Sequence, residues 1–535
     1  MAVGTDPDQG TAETRSPDTL SPPGRRPWWV WAVPFAVLFA VLCARNRLLF
    51  TTRLYEQGDA GANSILIEQA RHFTLLVGNY SREHFNHPGP AYMYVQAAGE
   101  YLFQNTLHVV PTAWNAHMLS VFALDCAFVA LATGIAYGWT RSLRGAAACL
   151  AVFTGFVIAY PWILNSDWMP HMYVLAYMVF IMAAGSVAAG RMQDAWIFAL
   201  TGWFLIHGHA CFLLFVPAVT AAVLVAVLWP RRDRLGASAR GFFRDQRRNW
   251  IPVAVISALF VLPILVNLAL HWPGEFGKYI SYGGSGRAGG HGARQVIEYA
   301  LWFWWPHRHA WLSGLAPLLG YPAALAAVRW LCPARLRGFL LGMLAVNVVS
   351  SLAFLLYAAV GIDDLTEYYI GYFYWSAPLI MVLVIVLAGF EALPLRGELA
   401  ARLSAAAALA AAAAGVAVLA VAPGTRTGST NDIDQALPRV VATLAARAPG
   451  RMIVLRIDRP AWVETTGFLV QAERSGVRAC LADPWFTFMM TRQFICTPAQ
   501  AASGRAYWFY TRGGLPPHAQ VLLRFSGVAV VPSSP

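Results

Sequence analysis

Tyr55-Glu56-Gln57-Gly58-Asp59-Ala60, running on to Phe85-Asn86-His87-Pro88-Gly89-Pro90, follows the first hydrophobic run and is too polar to be another. Within it Asp59 and Glu68 supply carboxylates, Arg71 and Arg82 supply cations, and His72, His84 and His87 supply imidazoles. The chain around it gives this density its meaning. Its 535 residues are 58% hydrophobic and 12% charged, with a mean hydropathy of +0.50. A soluble domain carries about 25% charged residues, so the composition is that of a polytopic membrane protein. The polar stretch reads as the roof of an active site at the outer membrane surface.

The formal net charge of +12 is almost all arginine, with Lys278 the single lysine. A basic balance also suits nucleic-acid binding, but these arginines cluster between hydrophobic runs, as the positive-inside rule requires. No nucleic-acid partner is expected. Cys43, Cys126, Cys149, Cys211 and Cys332 lie in or beside apolar runs and read as small core residues. No C-x-x-C pair occurs, so no structural zinc site is indicated.

Residues 1–27 are rich in Pro, Gly, Ser, Thr and Asp, and read as a disordered cytoplasmic tail. Arg25 and Arg26 precede an apolar run over 28–43 with no clear small-x-small cleavage site, which favours a retained first span with a cytoplasmic N-terminus. Further spans are expected near 113–140, 146–162 and 170–190. Residues 195–229 suit a tight pair of short spans with His207-Gly208-His209 at their outer turn. The most basic loop, Arg231 to Arg248, then belongs in the cytoplasm. A span over 251–270 leads to a long loop, 271–311, Gly-rich near 283–292 and aromatic at Trp302-Phe303-Trp304-Trp305. Spans near 312–330, 338–360, 374–390 and 404–422 bring the count to about eleven across 28–422.

Parity puts residues 423–535 outside. A helix near 432–447, a strand over 452–457, a helix near 461–474, a strand over 477–481 and β-like runs near 506–510 and 520–531 suggest a small α/β domain, parallel in its first part. It has no Gly-rich phosphate fingerprint. Cys480 and Cys496 would face an oxidising compartment, where a disulfide and two free thiols are both open outcomes.

This topology sorts the polar residues. Inner loops hold arginines, while outer loops hold Asp59, Glu68, Asp167, Glu275, Asp363, Asp364 and Glu367 with His87, His171, His207, His209, His307 and His309. Asp59 suits either of two roles: an N-cap for a helix starting near Gly61, or a rim carboxylate taking a proton from an acceptor hydroxyl. Asp167, in Asn165-Ser166-Asp167-Trp168-Met169-Pro170-His171, caps a helix beginning near Pro170 or faces Asp59 as a second carboxylate. His207 and His209 are two apart, which on a helix sets them on different faces and argues against a shared metal; lining a cavity is their functional alternative. His307-Arg308-His309 reads as an interfacial flank, and the tryptophans before it as an aromatic belt or a cover for a sugar or polyprenyl chain. Arg71, Arg82, Lys278, Arg287 and Arg294 are the outer cations available to a phosphate, and spacing selects none of them. Asp363-Asp364 is a weak metal candidate, since paired loop acids are more often solvated or capping.

Taken together these residues resemble the GT-C superfamily of polytopic glycosyltransferases, which includes protein O-mannosyltransferases and lipid A aminoarabinose transferases. Gly58-Asp59 matches the acidic position of that family's first outer loop. His87-Pro88-Gly89-Pro90-Ala91-Tyr92 resembles its His/Pro-Pro motif with Gly89 in place of the second Pro, and Leu164-Asn165-Ser166-Asp167 its second acidic loop. The segment from Tyr368-Tyr369 to Ala377-Pro378 resembles its late outer motif. His207-Gly208-His209 stands where the family often has a Lys. The resemblance spans residues 28–390 and implies inverting transfer of a sugar from a polyprenyl-phosphate donor to a cell-envelope glycan, lipid or protein at the plasma membrane. It implies Asp59 as general base and Asp167 as a second cavity acid. It makes Arg71, His87, His171, His207, His209, Lys278, Tyr368 and Tyr369 candidate substrate contacts, and implies no metal or other cofactor.

Two rivals compete with this reading. A transporter or flippase of lipid-linked saccharides predicts inverted repeats and polar residues within broken spans, whereas here no repeat is found and polar residues concentrate in loops. A non-enzymatic envelope-assembly protein predicts that Asp59→Asn leaves function intact.

Overall fold

A computed structural model describes residues 26–229, 246–285, 289–304, 310–392, 398–424 and 433–533. Arg231, Arg232, Arg234, Arg240, Arg244, Arg287, His307 and His309 lie outside the described residues. Six helices are long and apolar enough to cross a bilayer by length and composition: Ala113–Thr140, Met169–Ala188, Arg247–His271, Ala334–Val360, Tyr368–Phe390 and Arg402–Val421. Trp29–Arg45, Leu143–Ala159 and Phe212–Leu228 are shorter apolar helices of 17 residues each. Ala195–Gly208 and Ala310–Ala326 are two further helices of apolar composition.

Which helix sits where follows from which faces can be covered. Met169–Ala188 is apolar all round and is buried from Met172 to Val187. It fills the centre of the bundle, against Ala113–Thr140, Ala195–Gly208 and Ala334–Val360. Arg247–His271 is equally apolar but buries no residue, the pattern of a helix at the bundle's edge facing lipid.

The 271–311 segment departs from the loop expected of it. It folds into two helices, Gly274–Gly284 and Ala293–Trp302. The second buries Val296, Tyr299 and Ala300, an i, i+3, i+4 stripe that the glycines just before it obscure in the sequence.

Beyond the last span, five strands form one sheet in the order β2-β1-β3-β5-β4: β1 Ile453–Ile457, β2 Ala479–Leu481, β3 Arg505–Thr511, β4 Leu523–Phe525 and β5 Val528–Pro532. β1 is parallel to β2 and β3, while β5 is antiparallel to β3 and β4. Cys480, on β2, is bonded to Cys496. The sheet's helix Trp462–Arg474 packs on Gly58–Arg71. That approach needs Gly61, where an added Cβ would lie 2.7 Å from the Thr466 hydroxyl. A bridge between Glu56 and Ile433 joins the two parts of the chain beside it.

The bundle therefore has two unlike ends. The sheet caps the end bearing the Asp59 stretch, the 160–168 connection and the His207–His209 turn. At the other end Arg26 and Arg191 pair with the buried Asp194 at 2.6 and 3.6 Å, and Arg144 donates to Ser404.

Candidate active site at the sheet-capped end

The Gly58–Arg71 helix begins with Gly58 at φ 59° after an extended Gln57 that makes no side-chain cap. Asp59 is thus in the first turn, and its carboxylate makes tertiary contacts in place of a cap. Oδ2 accepts from Trp168 Nε1 at 2.8 Å, and Oδ1 accepts from the Tyr80 hydroxyl. An indole and a phenol, brought from two separate connections, fix both oxygens of one acid.

Asp59 lines a cavity of about 230 Å³ together with Asn63, Asn79, Tyr80, Arg82, His87, Trp168, Tyr173, His209, Tyr282, Asp363 and Tyr369. The Asn63 and Asn79 side-chain oxygens are buried and have no hydrogen-bond partner among the described residues. Both are acceptors able to take a hydrogen bond from a hydroxyl.

The cation of this cavity is Arg82. It pairs with Asp363 at 2.6 Å and Glu367 at 3.7 Å, and reaches the Tyr369 hydroxyl at 3.4 Å. The two loop acids of Asp363-Asp364 have separate tasks: Asp363 holds the arginine, while Asp364 accepts from Thr366 N and Oγ1 in a local turn. Among the described residues no group of three His, Cys, Asp or Glu side chains is arranged to hold a metal ion.

The His87 and His209 rings pack tilted against each other, centroids 4.2 Å apart, on the cavity wall. Burial, then the neighbouring His209, holds His87 well below the usual histidine range, and burial brings His209 down to about 4. Both rings are neutral at pH 7. His87 Nδ1 accepts from Ala210 N at 3.2 Å and His209 Nδ1 from Cys211 N at 3.1 Å, which leaves each ring's proton on Nε2. The pair offers hydrogen-bond donors, not positive charge.

No family model matches this sequence, and no curated protein matches it either. Solved structures do. The crystal structure of ArnT from Cupriavidus metallidurans bound to undecaprenyl phosphate matches with a TM-score of 0.55 at 12% identity, covering 94% of this chain and 97% of that one. The same protein in the apo state matches with a TM-score of 0.52 at 14% identity over the same shares. The fold is GT-C-like.

On this GT-C-like frame the other residues singled out from the sequence separate. Tyr369 joins Trp168 at the cavity, with ring centroids 5.1 Å apart. Asp167 turns the other way from its neighbour Trp168. It is buried, accepts from Trp114 Nε1 at 3.0 Å, and does not line the Asp59 cavity. Nor does it cap the next helix, Met169–Ala188, which has no side-chain cap; Trp168 N just before it donates to Ser166 Oγ at 3.1 Å. Burial pushes the Asp167 carboxyl up to about 6, against the pull of His117 and the Trp114 bond.

Arg71 lies on the far side of its helix, paired with Glu68 at 2.8 Å and Glu100 at 3.0 Å. His171 and Tyr368 belong to an aromatic cluster, stacked on Tyr372 and on Trp302 respectively. Lys278 is exposed and pairs with Glu275 at 2.7 Å. Glu275 in turn accepts from Asn86 N, which ties that helix to the segment carrying His87.

His207 diverges from His209, as two residues at that spacing must when a helix ends between them. Its Nε2 donates to Phe260 O at 2.7 Å, and its ring faces a second, apolar cavity of about 580 Å³ lined by Leu75, Tyr94, Phe128, Phe204, Phe260 and Pro263. The ring also explains Gly89: a Cβ there would lie 2.4 Å from it.

Trp168, Tyr80, Asn63 and Asn79 were not singled out from the sequence. Only Trp168 left a trace, as the aromatic beside Asp167 in an outer connection.

Proposed function

We propose that the protein is an integral membrane glycosyltransferase that moves a sugar from a polyprenyl-phosphate donor to a cell-envelope acceptor. The observation that carries this reading is the grouping, in one cavity at the sheet-capped end, of a carboxylate fixed by two donors, an arginine and two neutral imidazoles. Support comes also from the GT-C-like fold and from the apolar cavity behind His207, whose lining suits an isoprenoid chain.

In this reading Asp59 takes the proton as the acceptor O–H bond breaks. The oxygen attacks the anomeric carbon, the C–O bond to phosphate breaks, and its electron pair leaves on the phosphate. Arg82 offsets the charge developing there, while His87 and His209 donate to donor oxygens. A single displacement inverts the anomeric carbon. The chemistry is assigned to side chains alone, with no metal or other cofactor.

The arginine-rich end is assigned to the cytoplasm and the sheet to the outside of the plasma membrane. In this scheme 28–422 is the catalytic unit and 423–535 an accessory unit, while the tail expected over 1–27 lies, up to residue 25, outside the described residues.

The test is to incubate the purified protein in nanodiscs with a panel of polyprenyl-phosphate sugars. Release of lipid phosphate with at least one donor supports the reading. No release from any donor, with sugar lipid moved across the bilayer instead, supports a flippase.

A further inference from the structure

Beside the Asp59 cavity lies another opening, of about 400 Å³, walled by Tyr80 and Arg82 on one side and by Arg459, Trp462, Trp485 and Phe488 of the sheet domain on the other. Tyr80 and Arg82 line both spaces. The phenol whose hydroxyl bonds Asp59 thus presents its ring to Phe488, edge to face at 5.8 Å.

Trp485 stays 41% exposed although it is among the largest apolar side chains of the domain. It is also held firmly. Its backbone N–H donates to the Asp483 carboxylate at 2.9 Å, the buried Phe486 anchors the same turn, and the Cys480–Cys496 bond closes the loop that carries it. A rigid, open indole beside a cavity is a stacking platform. The Arg459 guanidinium lies 4.8 Å from its ring centroid and has no carboxylate partner among the described residues. An exposed indole with the Arg459 guanidinium over its ring and Arg82 across the opening fits a sugar that bears a negative group.

We infer that this pocket is an acceptor subsite for an anionic saccharide, held by stacking on Trp485 and by its charge on Arg459, with the next sugar hydroxyl delivered past Tyr80 to Asp59. The acceptor role rests on the transferase reading, but the binding itself does not.

The experiment therefore measures binding apart from turnover. Full-length protein in phosphatidylcholine nanodiscs is titrated with trigalacturonate and with neutral galactotriose, followed by saturation-transfer NMR. The expected result is at least tenfold tighter binding of trigalacturonate. Trp485→Ala should weaken it at least tenfold, and Arg459→Gln should erase the preference while leaving galactotriose binding unchanged. Arg459 is exposed, so that variant keeps the test sound should Trp485→Ala fail to fold. Equal affinity for the two probes, no binding of either, or unchanged binding by Arg459→Gln overturns the subsite. Intact binding without lipid-phosphate release from any donor refutes the transferase reading and leaves the subsite standing.

Discussion

Arg474 of the sheet domain donates to the Glu56 carboxylate at 2.7 Å, three residues before Asp59. Glu56 is fully buried and also accepts from Ser64 at 2.6 Å. Burial alone would raise it, but Arg474, His117 and the Ser64 bond hold it below the usual carboxylate range. The ion pair ties the domain to the start of the helix that carries Asp59. Arg474→Met should leave a buried unpaired carboxylate and cost about 3–5 kcal/mol. The double variant Glu56→Gln/Arg474→Met should cost less than Arg474→Met alone. Thermal unfolding of the two measures the difference.

Asp167 predicts a pH dependence of opposite sign. Its carboxyl is raised from 3.8 to about 6, so folding favours the protonated form. The associated stability is fully present below about pH 4 and is lost as pH rises through about 6. Asp167→Asn is uncharged and still accepts from Trp114. At pH 8 it should be more stable than wild type by up to about 3 kcal/mol, and at pH 4 the two should melt alike.

In the proposed reaction Trp168 acts through Asp59. Trp168→Phe keeps a ring against Tyr369 but removes the N–H donated to Oδ2. A hydrogen bond to a charged group contributes about 1.5–3 kcal/mol, so kcat should fall about ten- to a hundredfold. The donor KM should move little, because a misaimed base spoils the chemical step more than binding.

Arg82 is assigned to the donor's phosphate. Arg82→Gln should lower kcat/KM for the donor about a hundredfold. Arg82→Lys should restore only part of it, because one ammonium replaces a planar fork that meets Asp363 and a phosphate together. Steady-state kinetics with varied donor decides this.

The frame of the molecule was legible because its signals are local. Apolar runs mark the spans, and arginines flank the end opposite the sheet. The alternation over 453–481 gives the parallel half of the sheet, and the two-residue spacing of His207 and His209 shows that they part. The site was legible only in its anchor, Asp59. That Trp168 turns to Asp59 while Asp167 turns to Trp114 depends on how a short connection seats between helices. The choice of Arg82 among the outer cations depends on Asp363, 281 positions along the chain. Arg71 sits on the same stretch, and only its helix face sends it to Glu100 instead.

Lipid-phosphate release by Asp59→Asn tests the central claim most directly. The variant keeps an oxygen to accept from Tyr80 or Trp168, so it should fold and bind donor as wild type does. With a general base lost, transfer should fall about a hundred- to ten-thousandfold. A folded Asp59→Asn protein that turns over at the wild-type rate would contradict the account.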